Sequence, residues 1–335
     1  MKINACKNLI ISIFKKKGLK HDHAIISANA LINAELVGAY GHGLSRLKMY
    51  CDRISKKVIN PNPKIKIKKI SFSISHIDAN DSIGFVAADV GIKKAIDNAK
   101  KTGIGLVAVK NSGHYGLSGY YAEQAVKQNL ITMIFTNAPP AIAPYGALKS
   151  LFGTNPICFG TPTGSKIPFI LDTSMSMINR GKIRVAARNN QKIPEGVALD
   201  INGKPTTNAK EALKGVQLPI ASFRGSGLAW MVDILSGVLT GGNHAGKVKD
   251  PFDDFIGPQN IGHLFFTFKP NLFVNNYKQR IKENINIIKK MPKLKGVKEI
   301  FYPGQKKYNR YLVNKKKEII ITDNIKKDLE LLLSN

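Results

Sequence analysis

Acidic residues are the scarcest charged groups in this 335-residue chain: 22 Asp and Glu stand against 51 Lys and Arg, a net charge of +29. Such an imbalance is the footprint expected of nucleic-acid binders. Its distribution argues against that class. The excess is Lys rather than Arg, dispersed over Lys15 to Lys17, Lys64 to Lys69, Lys289 to Lys295 and Lys315 to Lys317, as a surface composition bias would place it. Nucleic acid is therefore not an expected partner. Arg is kept at few positions, notably Arg46, Arg180, Arg184, Arg188 and Arg224. In a chain drifted toward Lys, a retained Arg hints that its planar fork is used.

Cysteine is scarce too. Cys6, Cys51 and Cys158 are odd in number and lack metal-ligand spacing, which argues against a disulfide framework or a zinc site and for reduced thiols in the cytoplasm. No apolar run approaches the roughly 18 residues of a membrane span, so no membrane partner is expected. The apolar stretch Leu9 to Phe14 is followed by lysines and reads as an amphipathic helix, not a cleaved leader. No G-x-G-x-x-G follows a strand-like run, so the ordinary dinucleotide fingerprint is missing. Gly241 to Lys247 starts like a phosphate-binding loop, but Val248 stands where Ser or Thr would meet magnesium.

The patterns that are present read as α/β. Helical spacing covers His21 to Leu36, a stretch from Ser45 to about Ile54, Gly84 to Lys100 and Tyr120 to Gln128; strand-like runs cover Ile70 to Ile77, Ile104 to Val109, Leu130 to Thr136, Phe169 to Leu171 and Leu264 to Phe268. A helix is expected to start at Asp172-Thr173-Ser174, capped by Asp172 or Ser174, and to run to Ala187. Its free N–H groups would suit an anion. Ser226 to Leu239 reads as a buried helix stopped by Gly241-Gly242. Val274 to Lys289 and Asn324 to Leu333 close the chain as helices.

The chemistry concentrates at Gly41 to Tyr50. His42, Arg46 and Tyr50 sit at i, i+4 steps, which on a continuous helix would share one face. An imidazole titrating near neutral pH beside a fork that grips a carboxylate is the minimal kit for reducing a 2-oxo acid.

With Asn111-Ser112-Gly113-His114, Gly153 to Pro156, Asp172 to Ser174, Gly181 to Ala187, Ile193 to Gly196, Gly203 to Thr207, Gly225 to Gly242, Asn260 to Phe265 and Pro303-Gly304, this stretch resembles the malate/L-lactate dehydrogenase family of non-Rossmann type. That family includes ureidoglycolate, sulfolactate and 2,3-diketo-L-gulonate oxidoreductases. The resemblance implies an α/β fold with a cofactor domain of its own type (69–275) and a helical domain built from 1–68 together with 276–335. It also implies a homodimer, NAD or NADP as cofactor, and a small carboxylate substrate.

By that resemblance His42 would give the proton, Arg46 would hold the carboxylate, Tyr50 would orient it, and Asp172 would support His42 or merely cap a helix. His114 ranks second as proton carrier, since no Arg lies at helical spacing from it. Thr154 and Asn155 would contact cofactor or substrate, or form a turn fixed by Pro156. The cofactor would meet His114, Tyr115, Gly116, Asp172, Thr173, Ser174, Arg224, Gly225, Pro303, Gly304 and Gln305. Four departures stand out: Gly41 for Ser, Ala138 for Ser, Ala221-Ser222 for Gly-Gly, and Gln305 for Glu. Reduction of a carboxylated cyclic imine is the alternative chemistry, and a catalytically impaired, basic nucleic-acid binder the alternative class.

Overall fold

Two helices open the chain in the computed structural model, which describes residues 1–334: α1 (Ile3–Lys16) and α2 (His21–Leu36). Cys6, Ile10, Ile13 and Phe14 recur at helical spacing on α1 and are buried, as one apolar stripe requires. Next come two 3-10 turns, Tyr40–His42 and Leu44–Arg46, and then α3 (Leu47–Ser55). The helix expected from Ser45 thus starts at Leu47, and no continuous helix joins His42 to Tyr50. Gly43 adopts a non-helical backbone between the two turns, so His42 leaves the face that carries Tyr50.

The sheet begins with β1 (Lys66–Lys69) and β2 (Ile74–Asp78), followed by α4 (Gly84–Thr102), β3 (Ile104–Ser112), α5 (Ser118–Val126) and β4 (Ile131–Thr136). The strand expected from Ile70 thus starts only at Ile74, after a turn. Two more strands, β5 (Ile157–Thr161) and β6 (Phe169–Thr173), follow the Pro- and Gly-rich stretch. β5 carried no clear alternation and escaped the sequence reading.

Asp172 lies inside β6, and the helix expected to start there begins eight residues later as α6 (Arg180–Arg188), capped by Asn179, whose side chain accepts the Gly181 N–H at 2.7 Å. Neither Asp172 nor Ser174 is a helix cap. Beyond α6 run β7 (Ala198–Leu199), α7 (Ala209–Lys214), β8 (Val216–Gln217) and α8 (Phe223–Asp233), which continues as a wider π turn to Val238. The chain ends with β9 (Ile261–Phe268), α9 (Tyr277–Lys290), α10 (Gln305–Asn314) and α11 (Asp323–Ser334).

The seven strands lie in the order β1-β2-β3-β9-β4-β5-β6, and only β2 and β3 run parallel. β9 is central, nearly all buried, with Phe265 packed among Ile92, Val107, Val109 and Ile134. A second core joins α1, α2 and α3 to Ile319, Leu329 and Leu332 from the far end of the chain, and the N-terminal amine donates to the Ile319 carbonyl at 2.8 Å. β1 straddles the expected boundary at residue 69 and belongs to the main sheet. Contrary to the sequence reading, α8 and its π turn are buried on one face only, through Ala229, Val232 and Ser236: Phe223, Leu228, Trp230, Met231, Ile234, Val238 and Leu239 are all exposed.

Candidate active site

Glu35 of α2 sets the geometry of the first loop. Its buried carboxylate accepts the Leu44 N–H at 2.7 Å and so holds the turns that carry His42 and Arg46. The second loop, from β3 into α5, carries His114. It lies on the start of α4 at Gly84, where a Cβ would stand 2.2 Å from the Gly113 carbonyl oxygen and 2.3 Å from that of His114. Only glycine permits this approach. From below, the buried His263 of β9 fixes the loop through Ser112 Oγ, 2.7 Å from its Nε2, while its Nδ1 is 2.8 Å from Thr136 Oγ1.

These supports bring the His42 and His114 rings into a stack, centroids 5.8 Å apart and 17° from parallel. Tyr50, fully buried on α3, places its hydroxyl 2.6 Å from His114 Nδ1. The phenol contacts the second imidazole instead of the first. Arg46 donates through Nε to the Gly41 carbonyl at 2.7 Å, and its guanidinium sits 4.7 Å from the centre of the Phe252 ring. Arg184 sits 4.4 Å from the same centre. Among the described residues, the nearby ion pairs belong to Arg184, with Asp250 at 3.1 Å and Asp253 at 3.9 Å, and to Lys307, with Asp172 at 3.8 Å. Among the described residues, Arg46 has no carboxylate partner.

Burial, the Arg46 charge and then Lys307 push the His42 imidazole down from its ordinary value to about 4. Burial and then Arg46 likewise hold His114 well below 6.5. The expectation of an imidazole titrating near neutrality is overturned for the ligand-free protein, because burial and the neighbouring Arg46 charge both disfavour the imidazolium. Burial also keeps the Tyr50 phenol protonated.

The remaining candidates divide into two groups. Asp172 and Gly304 line one cleft together with Gly119, Lys307 and Tyr308. Within it the Asp172 carboxylate accepts the Gly119 N–H at 2.9 Å, bonding the first turn of α5 and not His42. Thr173 and Ser174 follow half-buried at the end of β6, and the Pro303 carbonyl accepts the Ile170 N–H at 3.1 Å. Gly116 turns the His114 loop with φ +81°. Arg224 is exposed at the start of α8. A Cβ on Gly225 would fall 1.9 Å from the Ile220 carbonyl oxygen, so that turn is closed tightly. Ala221 and Ser222 hold φ of +48° and +57°, a left-handed backbone that glycine adopts with less strain.

The other group is framework. Asn155 is fully buried at φ +35°; its Oδ1 accepts the Ala138 N–H and its Nδ2 donates to the Ala229 carbonyl at 2.7 Å, so it fixes two loops. Thr154 gives its carbonyl to the Met175 N–H at 2.8 Å. Tyr115 is buried against His263, with its hydroxyl 2.7 Å from Ser118 Oγ. Gln305 is buried and donates to Glu299 at 2.8 Å. Gly41 has open space where a Cβ would stand, so the fold does not force the absence of a serine. Sequence reasoning gave no role to Glu35, Phe252, His263 or Lys307. Their spacing from the motif is too long to signal contact.

The sequence and the fold match known proteins over nearly the whole chain. The family model described as malate/L-lactate dehydrogenase covers residues 1–330. The malate/(S)-sulfolactate dehydrogenase of Methanothermus fervidus is 36% identical over 305 residues, 90% of this chain and 87% of that protein. The (2R)-3-sulfolactate dehydrogenase (NADP(+)) of Chromohalobacter salexigens is 34% identical over 84% of each chain. The ureidoglycolate dehydrogenase (NAD(+)) of Escherichia coli K12 is 32% identical over 86% of this chain and 82% of its own. The solved sulfolactate dehydrogenase of Methanocaldococcus jannaschii superposes with a TM-score of 0.93 at 35% identity, covering 100% of this chain and 96% of that one. On these matches, and on the loops and strands that carry the shared motifs, the chain belongs to the malate/L-lactate dehydrogenase family.

Proposed function

We propose that this enzyme moves hydride between NAD(H) or NADP(H) and a small 2-hydroxy or 2-oxo acid. One observation carries the reading: two neutral, stacked imidazoles, one bonded to a buried phenol, stand beside an arginine with no carboxylate of its own. The residues present fit a dinucleotide. A tight turn at Gly225 beside the cationic Arg224 and the N–H groups opening α8 suit phosphate, as does the amine of Lys307 in the Asp172 cleft. When bound, the nicotinamide accepts or supplies the hydride.

Arg46 binds the substrate carboxylate through its free fork and so fixes the reacting carbon. We assign the proton to His114. The Tyr50 hydroxyl and His114 Nδ1 are joined by a hydrogen bond whose direction follows the tautomer; in the tautomer with the proton on Nδ1, Nε2 keeps a lone pair, the form a base needs to take the hydroxyl proton during oxidation. For reduction, Nε2 must first be protonated and then protonate the carbonyl oxygen. A carboxylate on Arg46 offsets the charge that disfavours the imidazolium, so substrate and proton bind together. His42 shapes the opposite wall of the pocket.

The test is kinetic. His114→Gln should lower kcat by about 10²- to 10⁴-fold while cofactor affinity stays within a few-fold; unchanged turnover, or the same loss in His42→Gln alone, would overturn the assignment. We also propose that the exposed apolar face of α8, with Phe223, Trp230 and Ile234, is covered by a second copy of the chain. The three buried, unpaired thiols support a reducing compartment, the cytoplasm.

A further inference from the structure

The segment from Lys249 to Gln259, between the π turn and β9, touches both Arg46 and the His114 loop, yet the chemistry above gives it no part. It closes on itself. The buried Gln259 side chain donates through Nε2 to the Lys249 carbonyl at 2.9 Å, and its Oε1 accepts the His114 N–H at 3.3 Å. Arg53 of α3, fully buried, pins the middle of the segment by donating to the Asp254 carbonyl at 2.8 Å and the Gly257 carbonyl at 3.4 Å. The result is a compact strap whose ends meet.

From this strap the Phe252 ring reaches two guanidinium groups, with Arg46 at 4.7 Å from the ring centroid and Arg184 at 4.4 Å. The negative face of an aromatic ring attracts a cation without accepting its N–H groups. A carboxylate in the same place would occupy the fork. The strap carries three carboxylates, and each is engaged elsewhere. Asp250 bonds Arg184 at 3.1 Å and accepts the Phe252 N–H at 2.9 Å; Asp253 leans on Arg184 at 3.9 Å; Asp254 accepts the Ile256 N–H at 3.1 Å. Among the described residues none of them pairs with Arg46, whose Nε is held by the Gly41 carbonyl.

We propose that Phe252 is a positioning residue: its ring stands in for a counter-ion, holding the Arg46 guanidinium in place while leaving the remaining N–H donors to a substrate carboxylate. The inference rests on the hydride-transfer reading, in which Arg46 takes that carboxylate.

The test follows reduction of pyruvate and oxaloacetate with NADH and NADPH, together with the affinity for each cofactor. Phe252→Leu keeps apolar bulk but removes the ring face. It should raise KM for the 2-oxo acid roughly 5- to 30-fold, with kcat and cofactor affinity changed by less than about threefold. Phe252→Tyr restores a ring and should recover most of the loss. Phe252→Met, also without a ring, should match the leucine variant and replaces it if that protein does not fold. An unchanged KM in the ringless variants, the same loss in Phe252→Tyr, or an equal fall in cofactor affinity overturns the positioning role and leaves hydride transfer standing. Failure of the native enzyme to reduce either acid with either cofactor overturns both.

Discussion

His263 offers the sharpest test of the physical account. Its ring is completely buried, with one nitrogen on Ser112 and the other on Thr136, and burial alone pushes it from 6.5 to about 3. In the unfolded chain the same imidazole takes a proton near pH 6.5. Between those values the unfolded state binds more protons, so stability is fully present above pH 6.5 and is lost as pH falls toward 3. At pH 5 the group lies one and a half units below its unfolded value, which at about 1.36 kcal/mol per unit is about 2 kcal/mol. Urea unfolding at pH 7.5 and pH 5 should show at least that loss in the native protein, since His42 and His114 are depressed as well. In His263→Gln, which keeps a hydrogen-bonding side chain but cannot titrate, the difference should shrink by the same amount. Proton NMR should find the ring unprotonated at pH 5. An imidazolium signal at pH 5, or an identical pH dependence in the variant, would refute the reasoning.

Substrate-linked proton uptake follows from the place of Arg46 beside both depressed imidazoles. The affinity for a 2-oxo acid analogue such as oxamate should strengthen as pH falls from 6.5 to 5, by up to about tenfold per unit, and Arg46→Gln should abolish both binding and slope; flat affinity across that window contradicts the scheme. Trp230→Asp on the exposed face of α8 should turn a dimer into a monomer in sedimentation velocity. A native protein that is monomeric at micromolar concentration rules that contact out.

Elements with long, regular apolar spacing were legible in the sequence, α2 and α4 among them, because burial of one face imposes a local period. The motif around His42 announced its chemistry but not its geometry. Helical spacing suggested that His42, Arg46 and Tyr50 form one row, whereas Gly43 and Glu35 bend the chain, and Tyr50 instead meets His114, 64 residues away. Such a pairing is set by tertiary packing, and no local pattern encodes it. Asp172 misled for a related reason: Asp-Thr-Ser is a good cap sequence, yet the carboxylate bonds the start of α5 from a neighbouring strand. Trp230 and its neighbours looked like core because apolarity does not say which surface will cover it.

The central place of β9 has a consequence for synthesis. Its two partners, β3 and β4, lie more than 120 residues earlier in the chain, and both hydrogen-bond to it along nearly their whole length. Until residue 268 has left the ribosome, the nascent sheet exists as two unjoined halves with bare edges facing each other. Closing so distant a pairing is slow, and open edges invite association with other chains. Truncation before Ile261 should therefore yield aggregates, not a smaller folded protein, and chaperone demand during translation should end when that last strand slides between its neighbours.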